Sequence, residues 1–167
     1  MLLFKDVVSE DEMLTDAFPI KEVDDIVFEV DCAMVVVKEG DVDIGANPSA
    51  EEAEESLEEA AEKVNNVVHS GRLQSTVFDK KTYISHIKGY MKAVKEHLQK
   101  NNPDRVAAFE SKAQPFVKKI IANFKDYEFY TGENMNPDGM VALLNYREDG
   151  VTPYLTFWKD GFTTVKL

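Results

Sequence analysis

Apolar positions along this chain recur at two different periods, and the change of period divides it into β, helical and β portions. Leu2–Val8 starts apolar and then alternates, and Ile26–Val37 is rich in β-branched residues, so both read as strands, the second with a hairpin at Asp31. Val64–Val77 mixes apolar residues with Asn, Ser and Thr and suits strand more than helix. Behind Asp79, a capping residue, Ile84, Ile87, Met91, Val94 and Leu98 recur at steps of three and four, which predicts a helix ending near Asn101. Pro103 restarts the helical period, and Val106, Phe109, Ala113, Phe116, Ile120 and Phe124 fall on one inward face. Pro115 lies inside this second helix, where its missing N–H and its ring predict a kink or a break. The link Lys100–Asn102 is short, so the two helices are expected to pack antiparallel. Beyond them, Met140–Tyr146, Tyr154–Lys159 and Phe162–Lys166 read as strands of a C-terminal meander. Asp149-Gly150 and Asp160-Gly161 are the expected type I′ turns between those strands.

Between the first strands and the helices, Glu39–Glu62 breaks every period. It carries ten acidic residues and no basic one, a formal charge of −10, and its large apolar residues are only Val42, Ile44 and Leu57. Such a stretch buries too little to offset the entropy of ordering, so it reads as a mobile acidic insertion with some helical leaning over Ala50–Ala61. Asp79–Lys125 is the opposite pole, with eleven basic and four acidic residues and a charge of +7. The chain total of −12 argues against direct nucleic-acid binding, which needs clustered cations over the whole contact. At 167 residues and 44% hydrophobic content, one domain is the default.

The lone Cys32 forms no internal disulfide and fits a reducing, cytosolic compartment; flanked by Asp31 and Ala33, it reads as a small buried residue. The longest apolar run, Ala33–Val37, falls far below the ~20 residues of a spanning helix. No glycine stands in a phosphate loop, and HExxH, GxSxG and CxxC are absent. His86 and His97 are eleven residues apart on one helix, ~16 Å, too far to share a metal, and His69 reads as a hydrogen-bonded strand residue. Asp41, Asp43, Asn47, Ser49 and Glu52 stand at offsets like those of a calcium loop, but Gly45 occupies a ligand position, Ala46 replaces the turn glycine and Pro48 intrudes. The pairs Asp11-Glu12, Asp24-Asp25 and Glu148-Asp149 are formal acid–base candidates whose ordinary fate is solvation. The chemistry present points to a binding protein without a cofactor rather than an enzyme.

Two blocks carry a resemblance: IGANPSAE over Ile44–Glu51 and FKDYEFYTGENMNPDGMVALLNYREDG over Phe124–Gly150. With them the chain resembles, from Met1 to about Val165, the translationally controlled tumour protein family, in a fungal member. The resemblance implies an α+β fold, a β-tent like that of a chaperone of nucleotide-free Rab GTPases, with a projecting antiparallel helical hairpin and a mobile acidic loop. That chaperone's structural zinc has no counterpart where only one cysteine exists. The resemblance further implies that Glu12, in the pattern Lys5-Asp6 followed by Asp11-Glu12, contacts a small or translational GTPase such as an elongation factor. It also implies association with ribosomes and with tubulin, a cytoplasmic and partly cytoskeletal location with some mitochondrial association, and weak calcium binding. Microtubule contact is linked to the lysine-rich helix, here Lys80, Lys81, Lys88, Lys92 and Lys95, and a cationic hairpin independently suits an acidic surface. The chain departs from the family pattern at Pro115 and in the non-acidic ending Thr163–Leu167.

Overall fold

A computed structural model describes residues 2–38 and 61–166. Residues 39–60, which hold most of the acidic insertion, the calcium-loop positions and the whole first signature block, lie outside the described residues, while Ala61 and Glu62 at the end of the insertion belong to a strand. Strands β1 (Leu2–Asp6), β2 (Glu12–Thr15), β3 (Ile20–Val23), β4 (Val27–Asp31) and β5 (Met34–Lys38) are followed by β6 (Ala61–Asn65), helix α1 (Asn66–Gly71) and β7 (Gln74–Thr76). Then come the helices α2 (Lys80–Asn101) and α3 (Val106–Ala122), and strands β8 (Glu128–Thr131), β9 (Ala142–Tyr146), β10 (Pro153–Trp158) and β11 (Phe162–Lys166). They form a six-stranded sheet ordered β3-β4-β10-β9-β8-β7, a three-stranded sheet β11-β1-β2, and the ribbon β5-β6.

One contiguous core joins both larger sheets to the helices. Between the two sheets, Phe4 meets Phe28 and Phe162 meets Phe157, each pair with ring centroids 5.6 Å apart, and Tyr83, Val94, Phe109 and Ile120 belong to the same core from the helical side. The helical periods therefore hold: Ile87, Val94 and Leu98 are buried on α2, and Phe109, Ala113, Phe116 and Ile120 on α3. Asp79 caps α2, its carboxylate accepting from the Thr82 N–H at 2.7 Å. Phe116 of α3 meets Trp158 edge-on at 5.6 Å, which lays the hairpin along the sheet. No helix is long and apolar enough to cross a membrane, among the described residues.

Several sequence expectations are corrected. Val64–Val77 is not one strand: Asn65 accepts from the N–H groups of Val67 and Val68 and starts α1, which ends at Arg72 in a left-handed conformation. His69 is accordingly an exposed helical residue rather than a strand residue. There is no hairpin at Asp31, because β5 pairs with β6 and β4 pairs with β3 and β10. The expected meander is only half present. β9 and β10 form a hairpin, but its turn is not type I′: Gly150 alone has positive φ, and Asp149 holds the Val151 and Thr152 N–H groups at 2.8 Å.

β11 leaves the hairpin and pairs with β1 in the other sheet. Asp160-Gly161 is therefore a 3₁₀ corner, Lys159–Gly161, and its glycine serves close packing: a Cβ there would collide with the Tyr90 hydroxyl and lie 2.7 Å from Met140 Cε. α3 runs unbroken through Pro115, which faces solvent while the buried Ala113 and Phe116 anchor the helix on either side of it. Tertiary packing there outweighs the lost hydrogen bond. The second helix also starts later than expected, at Val106, after a 3₁₀ turn over Pro103–Arg105.

Candidate functional site

Two aspartates organise the end of the molecule that carries Glu12. Asp6 closes β1 on the same parity as the buried Phe4 and is only 1% exposed. Its carboxylate accepts five bonds: the N–H groups of Val8 (3.2 Å), Ser9 (3.1 Å) and Met140 (2.8 Å), and the hydroxyls of Ser9 (2.6 Å) and Tyr90 (3.0 Å). Burial, with the Asp6 charge beside it, pushes the Tyr90 phenol well above its ordinary range, so the hydroxyl remains a donor to that carboxylate. Asp11, also buried, accepts from the Asn134 side-chain amide at 2.5 Å and its N–H at 3.4 Å.

Both carboxylates press on glycines of the loop between β8 and β9. A Cβ on Gly139 would stand 2.8 Å from Asp6 Oδ2, and one on Gly132 would collide with the Asp11 carboxylate. The Gly-Glu-Asn and Asp-Gly-Met steps of the second signature block are thus the cradle that locks the β1–β2 turn. That turn is itself tight, with the Asp6 N–H bonded to Asp11 O at 3.0 Å and Glu10 in the left-handed region at φ 63°.

Glu12 begins β2 opposite Lys5, and its side chain is exposed and without a hydrogen-bond or ion-pair partner among the described residues. β2 is an edge strand of its sheet. A free carboxylate on a rigid edge next to two buried, fully engaged ones can receive a cation or an N–H donor from a partner without first giving up an internal bond. Asp11 does not share this role, since it is turned inward to Asn134.

The lysines divide. Lys80 and Lys81 are exposed in the first turn of α2, while Lys88, Lys92 and Lys95, joined by Lys118 of α3, rim a shallow groove of about 660 Å³ between the helices. Met91, Ala113 and Val117 form its floor. Lys95 is ion-paired with Glu110 and is the least available of the five.

At the hairpin tip, Arg105 donates from Nε and Nη2 to the two Asp160 carboxylate oxygens, both at 2.8 Å, and from Nη1 to Asp25 at 2.6 Å. Asp25 also receives Lys112 at 2.6 Å and Lys159 at 2.7 Å. Asp24 and Asp25, at φ 53° and 57°, are the central residues of a mirror-image turn, closed by the Ile26 N–H on Val23 O at 3.1 Å, within the three-residue link from β3 to β4. Of the candidate acid–base pairs, Asp24-Asp25 and Glu148-Asp149 are thereby turns, with Asp25 and Asp149 as their bonded members.

Cys32 is buried, its thiol 3.4 Å from Val30 O, and burial pushes it up from its ordinary range. His86 stacks on Tyr90 with ring centroids 6.1 Å apart and bonds Pro137 O at 3.2 Å; burial lowers it from the usual imidazole value. Among the described residues, no group of three or more His, Cys, Asp or Glu is placed to hold a metal ion.

A family model described as translationally controlled tumour protein matches residues 1–163. The chain belongs to the translationally controlled tumour protein family. A translationally-controlled tumor protein homolog from Yarrowia lipolytica is 64% identical over 167 residues, covering 100% of both chains. The solved structure of the translationally controlled tumor-associated protein p23fyp from Schizosaccharomyces pombe covers 100% of both chains at 65% identity with a TM-score of 0.84. The family's protein from Caenorhabditis elegans, solved by NMR, is 37% identical, covers 100% of this chain and 99% of its own, and gives a TM-score of 0.72. These likenesses place the chain among fungal translationally controlled tumour proteins and give it their mixed α+β fold. Sequence reasoning missed Asp6 and Asp11 as the supports of the site, although Asp6 stands on the core parity of an otherwise apolar strand, a position where a charge is out of place unless it is fully bonded.

Proposed function

We propose that this member of the translationally controlled tumour protein family is a non-enzymatic cytosolic binding protein of the translation apparatus that holds a small or translational GTPase, such as an elongation factor, through Glu12. The observation that carries this reading is the contrast within one turn: Asp6 and Asp11 are spent internally, while Glu12 is presented to solvent without a partner among the described residues. A preorganised carboxylate loses little entropy on pairing, so removing it acts mainly on affinity. Glu12→Ala is expected to weaken binding to the cognate GTPase about tenfold, the value of one partly desolvated charge pair, while thermal unfolding stays within a degree or two of wild type. Titration of purified elongation factors and small GTPases, nucleotide-free and nucleotide-bound, is the measurement. Equal affinities of variant and wild type for every GTPase tested would remove Glu12 from the site.

A second reading, microtubule binding through α2, is favoured by the four-lysine rim over an apolar floor. Lys88→Ala with Lys92→Ala is expected to reduce cosedimentation with microtubules several-fold and Lys95→Ala less, because Glu110 already engages Lys95. Wild-type binding should fall steeply as salt rises from about 0.05 to 0.2 M, over which screening tightens. Insensitivity to salt would reject an electrostatic contact.

A further inference from the structure

A second groove, of about 660 Å³, lies between Thr76–Phe78, the N-terminal half of α2 and the Met135–Asp138 segment. Three features that disfavour the isolated fold converge on it. Val77 is 91% exposed, at the end of the short edge strand β7. Met135 is 51% exposed and held at φ 53°, a conformation that L side chains rarely adopt, by its N–H bonding Gly132 O at 3.0 Å. Gly89 sits in the interior of α2, where glycine is a poor helix residue, yet a Cβ there would meet nothing within 4 Å. Gly132, Gly139 and Gly161 each have an internal steric reason to be glycine; Gly89 has none, and it lines the groove.

The walls mix apolar and aromatic side chains, among them Phe78, Tyr90 and Val141, with the hydroxyl residues Thr82 and Ser85, and the only carboxylate among the lining residues is Asp138, which makes no ion pair among the described residues. No lysine or arginine lines the groove. We propose that this groove docks an extended segment of a partner protein that inserts a bulky apolar side chain, sets an adjacent Lys or Arg against Asp138, and passes its main chain close over Gly89. The bare helix surface is then the track for the partner backbone, and Val77 and Met135 are the lips that close on the inserted side chain. This goes beyond the Glu12 contact and does not depend on it.

The test uses the full-length chain, ¹⁵N-labelled, and three Gly/Ser-flanked decapeptides whose central pairs are Phe-Arg, Phe-Glu and Ser-Arg. The Phe-Arg peptide is expected to shift the amide signals of Val77, Phe78, Gly89, Met135 and Asp138 saturably, with the other two binding at least tenfold more weakly. Asp138→Asn should erase the preference for Arg over Glu. Gly89→Leu, at a position that is exposed and where a Cβ meets nothing within 4 Å, should leave thermal stability equal or higher and weaken the Phe-Arg peptide at least tenfold. No saturable shift at millimolar peptide, shifts confined to the groove between the helices, or undiminished binding by Gly89→Leu would each overturn the proposal. So would a Gly89→Leu variant that unfolds, since it would give the glycine an internal purpose.

Discussion

Asp6→Ala is expected to lower the unfolding free energy by about 4 kcal/mol, because it strands up to five donors, two of them buried and three half-buried, in one step. For a chain of 167 residues that corresponds to about 10 °C in Tm. The carboxylate is the joint between three separate parts of the sequence: the β1–β2 turn, Tyr90 on α2, and Met140 in the loop before β9. Loss of the joint releases all three, so the effect exceeds that of a single hydrogen bond. Asp6→Asn keeps one acceptor oxygen but turns an amide donor toward other donors, and should recover only part of the loss. Tyr90→Phe removes one of the five bonds and should cost about 1 kcal/mol. Urea denaturation of the three variants measures the series; an alanine variant no weaker than Tyr90→Phe would show that the carboxylate does not hold these parts together.

Arg105→Ala should cost about 3 kcal/mol, since Asp160, whose side chain is 7% exposed, then loses the fork that neutralises it. Arg105 itself is 14% exposed and ties the tip of the helical hairpin to the β3–β4 turn and the 3₁₀ corner. Lysine at this position cannot reproduce two parallel bonds to one carboxylate while reaching Asp25, so Arg105→Lys should recover less than half. The same cluster sets an acid limit. Lys112 foremost, then Lys159 and Arg105, hold the Asp25 carboxyl well below its ordinary value of 3.8. The folded state therefore binds this proton less readily than the unfolded state. The Asp25 contribution is complete above the ordinary value and drains away as pH falls below it. Thermal melts taken down through pH 4 to 2.5 should show a shallower decline for Asp25→Asn than for wild type; parallel declines would detach Asp25 from the acid limit.

The helices were legible because their apolar residues repeat over about four turns or more and Asp79 marks the start of the first, signals that need no partner to be read. The hairpin β3–β4 was not, because Asp24-Asp25 adopts a turn usually filled by glycine or asparagine, and the ion cluster that holds it there draws Arg105, Lys112 and Lys159 from far along the chain. Asp160-Gly161 misled for the converse reason: its composition is that of a hairpin, while its aspartate serves Arg105 and its glycine serves Tyr90. Pro115 shows the same precedence of packing over local preference. Of the sites, the lysine stripe followed from helical spacing alone. Glu12 came only through family resemblance, and nothing local to it distinguishes an exposed glutamate on a strand from any other; its setting is made by Asn134 and Met140, more than a hundred residues away.

Pairing of β1 with β11 sets Leu2 opposite Lys166, so the strand that leads into Glu12 has one partner close by, β2, and gains the other only across nearly the whole span from β1 to β11. Closing so long a loop is entropically late. The helical hairpin, built from near-neighbour contacts, has no such wait during vectorial synthesis, whereas the three-stranded sheet that presents Glu12 is complete only once β11 joins β1. A chain arrested before β11 would thus hold its cationic hairpin without the finished sheet proposed to engage a GTPase.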